Sequence, residues 1–298
     1  MPESMPNVQA LLAAQVGRKL GQAENLTTAF SALSLHQRLR PRQEHPCLYQ
    51  PNVTLVLSGQ KRVTLAEESY LMSQQHFLLT SANLPVTPQI VEASREQPFL
   101  AVMLTLDMTA LATLLLNRNL PPASKSSSQR AIALGETTPE LLNAFQRLIL
   151  LLDSPRDLPI LGPLIQQEIL YRLLVTPQGY HLRDMAAGGR IQRVARATHW
   201  LEQHFSQTLN VAELAEHVGL SVSAFHRLFK EVTAMSPLQY QKTLRLSEAQ
   251  RLMINQQMEA ARAAFEVGYV SSSQFSREYR RQFGASPSSH IAGLRQMA

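Results

Sequence analysis

One cysteine, Cys47, among 298 residues excludes an intramolecular disulfide framework. No Cys/His spacing resembles a zinc site, so the chain has to be held by buried apolar cores. No run approaches the ~18 apolar residues of a membrane span, and the stretch from Met1 to Leu20 has no sustained apolar core. A cytoplasmic chain with no membrane partner is therefore expected. At this length two domains are expected, each large enough to bury a core of its own.

What charge there is lies unevenly. The formal net charge is +6, and five of those charges fall from Arg190 onward, where a polyanionic partner would meet them. The same region repeats itself. Val218-Gly219-Leu220-Ser221 leads into Ala224-Phe225-His226-Arg227-Leu228-Phe229-Lys230, and Val267-Gly268-Tyr269-Val270-Ser271 leads into Gln274-Phe275-Ser276-Arg277-Glu278-Tyr279-Arg280. Each copy reads as a helix, a glycine turn and a second helix carrying basic and hydroxyl residues, the layout of a helix-turn-helix.

The residue types explain the layout. Ala215 and Ala264 let the first helix cross closely over the second, and Gly219 and Gly268 permit a positive φ at its end. Phe225 with Phe229, and Phe275 with Tyr279, are i,i+4 pairs that share one face, expected to be buried. Ser221 and Ser271 are expected N-caps, and Ser236-Pro237 and Ser286-Pro287 each read as an N-cap followed by an N1 proline. Between the copies, Leu238 to Asn255 contains no Gly or Pro and predicts one continuous helix of about 27 Å. Such a rod would hold two recognition helices about one DNA turn, ~34 Å, apart.

With these residues in view, the segment from about Ile191 to Arg295 resembles the DNA-binding domain of the AraC/XylS family. The carrying residues are Ala212-Glu213-Leu214-Ala215, Arg227-Leu228-Phe229-Lys230, Leu244-Arg245-Leu246 before Ala249, and Ser271 to Pro287. The resemblance implies that bases are read by Ser223, His226 and Arg227 in the first unit, and by Ser272, Ser273, Gln274, Ser276 and Arg277 in the second. Arginine can take guanine O6 and N7 bidentately and glutamine can pair with adenine, whereas serine is permissive. Lys230, Arg280 and Arg281 are the expected phosphate contacts. One departure is Thr233-Ala234, where the family usually shows glycine after the first recognition helix.

The front half reads as short strands: Val53 to Leu57, Arg62 to Leu65, His76 to Leu79 and Phe99 to Leu104. Ser58-Gly59, Glu67-Glu68-Ser69 and proline-rich turns separate them. A small barrel or sandwich is expected. The stretch is similar to the N-terminal domain of a subgroup of AraC-type regulators through Pro46 to Pro51, Gly59 to Val63, Leu84 to Thr87 and Glu92 to Pro98, which implies a cupin-like, effector-sensing domain. An enzymatic cupin would need inward histidines and a carboxylate, but His36, His45 and His76 are scattered, so no metal, no cofactor and no catalytic residue is expected. Cys47 is the effector-sensing candidate. A thiol of lowered pKa beside His45 and Lys61 would report an electrophile or oxidant, while a small buried hydrophobe is the plainer reading.

After a polar connection from Pro121 to Gln129, two helices open on prolines, Pro139 to Leu152 and Pro159 to Leu174. Their stripes are Leu141, Leu142, Phe145, Leu148 and Leu152, then Leu161, Leu164, Ile165, Ile169 and Leu173. The fold class expected is α+β. Residues 1–180 form a cupin-like β-barrel with the helical pair at about 139–174, and 181–190 form a flexible tether. Residues 191–298 form an all-α domain, with helix-turn-helix units at about 211–233 and 259–283 joined by a central helix. The function expected is a sequence-specific transcriptional regulator that binds double-stranded DNA, is a homodimer, works with RNA polymerase and answers an unknown small-molecule effector or electrophile. The alternatives are a cupin-type metalloenzyme with an accessory helical domain and a DNA-binding protein whose barrel only dimerises.

Overall fold

The computed structural model describes residues 5–43, 46–117, 120–121 and 129–297. Residues 122–128 of the polar connection, and His45, lie outside the described residues. The first helix is α1 (Met5–Leu20), in which Val8, Leu12, Val16 and Leu20 recur every fourth residue and are all buried. Among the described residues ten strands follow: β1 (Asn25–Thr27), β2 (Leu33–Arg38), β3 (Arg42–Gln43), β4 (Cys47–Tyr49), β5 (Asn52–Ser58), β6 (Gln60–Leu65), β7 (Glu68–Met72), β8 (His76–Thr80), β9 (Leu84–Glu92) and β10 (Phe99–Thr105). Helix α2 (Met108–Leu115) and β11 (Ile132–Glu136) complete this part.

The strands build two antiparallel sheets, ordered β1-β2-β10-β5-β8-β11 and β3-β9-β6-β7, with β4 also on β9. Helix α1 packs on β2, β5 and β10. Residues Asn52 to Leu57 are consequently buried on both faces, which is why β5 reads as a continuous apolar run rather than an alternating one. The four expected strands are present.

Two features of the sheets differ from expectation. The turn placed at Glu67-Glu68-Ser69 sits at Ala66-Glu67, with Ala66 at φ 53°, and Glu68 already opens β7. The proline-rich stretch around Pro85 and Pro88 is a nine-residue strand rather than a turn. Among the described pairings each proline faces a ladder on one side, where its missing N–H is tolerated: Pro85 lies opposite Leu48 of β4, and Pro88 opposite Val63 of β6.

The helical pair is α3 (Pro139–Leu151) and α4 (Leu158–Leu174). Thr138 caps α3 through a hydrogen bond from Leu141 N, with Pro139 at N1. The stripe expected on α3 is buried at Leu141, Leu142, Phe145 and Leu148. On α4, however, Leu161 and Leu164 face outward, and Leu158, Ile169, Leu170 and Leu173 carry the packing.

The tether expected at His181 to Arg190 is mostly a helix, α5 (Gly179–Ala186), with His181, Leu182 and Met185 buried. Only Ala187 to Gly189 is non-helical, and Asp184 folds it back by accepting hydrogen bonds from the N–H groups of Arg190 and Ile191. A side chain at Gly189 would collide with Asp184, so this turn is a fixed corner rather than a loose linker.

Seven helices follow among the described residues: α6 (Arg190–His204), α7 (Val211–His217), α8 (Val222–Thr233), α9 (Pro237–Asn255), α10 (Ala260–Glu266), α11 (Ser272–Phe283) and α12 (Pro287–Met297). The nineteen residues of α9 span about 28 Å. Ser236 and Gln239 form a full capping box at its start. After α8, where the family's glycine is missing, Ala234 itself adopts the left-handed conformation at φ 63°, as Gly284 does at the end of α11 with φ 79°. The left-handed cap is thus kept without glycine.

The apolar interior is divided by helix-turn-helix unit rather than by the boundary near residue 190. One core runs from α1 through both sheets into α8 and the first half of α9, ending at Leu244. A second runs from Leu246 to Ile291 around α10, α11 and α12.

Candidate nucleic-acid interface

Two helix-turn-helix units are laid down by matching local rules. In the first, Asn210 caps α7, Gly219 turns the chain at φ 71°, and the Ser221 hydroxyl caps α8 by accepting from Ala224 N at 3.4 Å. In the second, Gly268 turns at φ 90° and Ser271 caps α11 by accepting from Gln274 N at 3.3 Å. Ala215 and Ala264 are buried at the crossings, as are Phe225, Phe229, Phe275 and Tyr279. Both i,i+4 ring pairs stand at 5.4 Å between centroids. Burying one face of each recognition helix leaves the opposite face to solvent.

That face carries the expected readers. Ser223, His226, Arg227 and Lys230 on α8 are exposed, as are Ser273, Gln274, Ser276, Arg277, Arg280 and Arg281 on α11, while Ser272 is half-buried. Gln274 is partly engaged, donating from Nε2 to Glu278 at 3.3 Å. Glu278 also receives Lys242 Nζ at 2.9 Å and Tyr269 Oη at 2.8 Å. Burial pushes its carboxyl upward, but these three donors outweigh burial and hold it below the ordinary carboxylate range. Glu278 therefore pins α11 to α9 and to its own turn as a carboxylate.

Arg245, which the sequence offers only as part of a motif, is the main fastener of the second unit. From α9 it donates to the carbonyls of Phe205, Ser206 and Gln207 after α6 and to Gly268 O, and it lies over the Tyr269 ring. Gln241 adds hydrogen bonds to Phe205 O and Gln207 O. The rod, the end of α6 and the second turn are one rigid corner.

The first unit is gripped by the β-rich part. Arg130, just before β11, donates to Lys230 O at 2.8 Å and Glu231 O at 2.7 Å, satisfying carbonyls at the C-terminus of α8. Its other nitrogens engage Glu68 of β7, and Ala131 N donates to Val232 O. The Arg130 guanidinium, against some burial, holds the Glu68 carboxyl low, with Tyr70 adding a hydrogen bond. Arg190 pairs with Glu231, and Arg227 lines a hollow with Arg190, Arg193 and Glu231. Tyr240 of α9 donates to Asn83 O at 2.7 Å, and Asn83 donates to Glu202 of α6.

The space between the two sheets is open. A cavity of about 460 Å³ is lined by His36, Arg38, Cys47, Lys61, Phe99 and Met103 among others, with no carboxylate among the described residues of its walls. Lys61 Nζ lies 5.4 Å from the Tyr49 ring. Cys47 is half-buried, and with Leu48 it also walls a second cavity that faces α9.

A family model described as the AraC-type transcriptional regulator N-terminus matches residues 29–181, and a helix-turn-helix domain model matches residues 214–292. Among curated proteins, the chain is 29% identical over 130 residues to the HTH-type transcriptional regulator ExsA of Pseudomonas aeruginosa, covering 44% of this chain and 47% of that one. It is 33% identical over 131 residues to the HTH-type transcriptional activator RhaS of Escherichia fergusonii, covering 43% and 46%. It is 28% identical over 167 residues to the thermoregulatory protein LcrF of Yersinia pestis, covering 55% and 60%. The chain thus spans about half the length of the curated relatives it matches. ToxT of Vibrio cholerae O395, solved bound to (E)-4-(8-methylnaphthalen-1-yl)but-3-enoic acid, shares the fold with a TM-score of 0.55 at 13% identity, over 87% of this chain and 97% of that one. Wild-type ToxT bound to an unsaturated fatty acid gives 0.51 at 10%, over 87% and 94%. These relatives are regulators rather than enzymes.

Proposed function

The chain belongs to the AraC-type family of transcriptional regulators, and on that premise we propose that it is a cytoplasmic, dimeric, sequence-specific DNA-binding protein that acts on RNA polymerase in response to an effector. The observation that carries this reading is the pair of recognition helices, α8 and α11, each with its aromatic face buried and its polar and basic face exposed. Joined through α9, they suit two successive major grooves on one side of a duplex. Among the described residues no helix is long and apolar enough to cross a membrane.

Ser223, His226 and Arg227, with Ser272, Ser273, Gln274, Ser276 and Arg277, take the base edges in this reading. Lys230, Arg280 and Arg281 take phosphates. Arg277→Ala is expected to cost ~1–3 kcal/mol on the preferred duplex and relax its specificity, whereas Lys230→Ala weakens all sequences alike and flattens the salt dependence. Fluorescence anisotropy against matched and scrambled duplexes at several salt concentrations checks both. Equal losses on every duplex for Arg277→Ala would remove it from the base readers.

The effector enters the 460 Å³ space between the sheets. Lys61, with no carboxylate among the described lining residues, favours an anionic ligand, while Arg38 in the same wall is already shared with Glu24. An open interior favours this over a barrel that only dimerises. Strand β4, with Cys47, walls this space and also faces α9, so a ligand that displaces β4 biases one arrangement of sensor and rod by its differential affinity for the two.

The dimer forms through the outward stripe of the helical pair, where Leu150, Ile160, Leu161 and Leu164 are exposed together around one hollow or beside it. Leu164→Glu is expected to convert the dimer to a folded monomer in sedimentation analysis. A variant that remains dimeric would place the interface elsewhere.

A further inference from the structure

Helix α6 carries Arg190, Arg193 and Arg196, three residues apart and so along one ridge of the helix. All three are exposed. The two outer ones fasten the first helix-turn-helix unit: Arg190 engages Glu231 of α8 and Gln129 Oε1 at 3.2 Å, and Arg196 donates to His217 O at the end of α7 at 2.7 Å. Arg193, between them, makes no hydrogen bond or ion pair with its guanidinium among the described residues. Its position is fixed by the two fasteners, and its charge is left over.

That guanidinium lines a hollow of about 440 Å³ between α6 and α8, with Arg190, Arg227, Leu228 and Glu231. Along α8, Ala224, Arg227, Leu228 and Glu231 flank the exposed face of Ser223, His226 and Lys230, and Arg227 belongs to both. The hollow therefore opens along one edge of the surface that faces DNA. Arg190 balances Glu231, the one carboxylate among the described lining residues, and Arg227 also has no ion pair among them. Two uncompensated guanidinium groups thus share one concave wall. With Arg227 extended to a base edge, Arg193 remains as the cation beside it, and its planar fork suits a phosphate.

We propose that Arg193 holds a backbone phosphate of the bound duplex, at the edge of the groove that α8 enters. The proposal rests on the DNA-binding reading above and adds to it a contact from α6, outside both helix-turn-helix units. A phosphate held there fixes how deeply and at what angle α8 lies in the groove, without itself reading sequence.

A duplex selected by the protein, carrying one uncharged methylphosphonate at each backbone position in turn, is the probe. In anisotropy titrations the full-length wild type is expected to lose about fivefold in affinity at one phosphate beside the first unit, while Arg193→Gln shows no loss there and keeps its sensitivity elsewhere. On unmodified DNA the variant binds every duplex about fivefold more weakly, and the slope of log K against log salt shrinks by about 0.9. Arg95→Gln removes the same charge just after β9, at the opposite end of that strand from Asn83 and its contact with α9, and is expected to bind as wild type does. Circular dichroism verifies that both variants are folded. Undiminished sensitivity at every phosphate in Arg193→Gln, a loss restricted to one base sequence, or an equal loss in Arg95→Gln would each overturn the assignment while leaving the recognition helices their role. Stabilisation of the wild type by inorganic phosphate, absent in Arg193→Gln and without any methylphosphonate effect, would give the hollow to a free anion and overturn it too. A wild type that prefers no duplex would instead remove the DNA-binding reading itself, and this contact with it.

Discussion

Gly268→Ala is expected to lower the unfolding free energy by about 3 kcal/mol or more and to disable the second helix-turn-helix unit. Two costs combine at this position. The backbone stands at φ 90°, where an L side chain adds about 1–2 kcal/mol. A Cβ there would also sit 2.0 Å from Ser206 O and 2.7 Å from its carbonyl carbon, a backbone that Arg245 and the end of α6 hold in place, and relieving such overpacking costs ~1–3 kcal/mol. Gly219, the counterpart in the first unit, has φ 71°, but a Cβ there would meet nothing within 4 Å. Gly219→Ala should therefore lose only the conformational part. Urea unfolding of the two variants side by side checks the difference, and equal losses would mean that the second turn is not clamped against α6.

Acid is expected to destabilise the protein through His181, by about 2 kcal/mol between pH 7 and pH 5 and about 3 kcal/mol by pH 4. The residue is 1% exposed, neither ring nitrogen has a partner among the described residues, and the Tyr180 ring stands at 75° to it with 5.8 Å between centroids. Burial lowers its pKa to about 4, with the charge of Asp184 opposing. The imidazole is therefore neutral in the folded chain, while the unfolded chain binds a proton near pH 6.5. Stability is fully present above that value and is lost as pH falls from 6.5 toward 4. Because α5 joins the β-rich part to α6, this loss should loosen the corner between them first. Unfolding free energies measured at pH 7 and pH 5 for wild type and His181→Leu test the assignment: the variant should show a shallower decline, and an unchanged decline would place the acid sensitivity elsewhere.

The DNA-facing units are legible in the sequence because their information is local. Glycine turns, serine caps and i,i+4 aromatic pairs act within a dozen residues, and their recurrence 49–50 residues later fixes them. The strand β9 is hidden because prolines read as turns, and only the pairing among the described residues shows both prolines inside a ladder. Helix α1 does carry a signal, the four-residue spacing of Val8, Leu12, Val16 and Leu20. The grip of Arg130 on α8 joins residues about a hundred apart, and Tyr240 to Asn83 spans still more, so no sequence window holds both partners. The run Ala186-Ala187-Gly188-Gly189 suggests a loose tether, yet Asp184 closes it into a corner through two backbone N–H groups. The two cavities arise from packing and have no sequence signature at all.

The division of the interior gives these long-range contacts a functional sense. The first unit shares its core with the β-rich part, whereas the second has a core of its own at the far end of α9. In the proposed mechanism an effector acts on the angle that the rod makes with the sensor, and so on whether both recognition helices meet one duplex together.

Hydroxyl-radical footprinting on a duplex selected by the protein from random DNA tests that claim most directly. Two protected patches per bound chain, on one face of the helix and about 10 base pairs apart, are the expected result, with the second patch lost in Arg277→Ala. A single patch that Arg277→Ala leaves unchanged would contradict the account, since one helix-turn-helix unit would then be reading DNA alone.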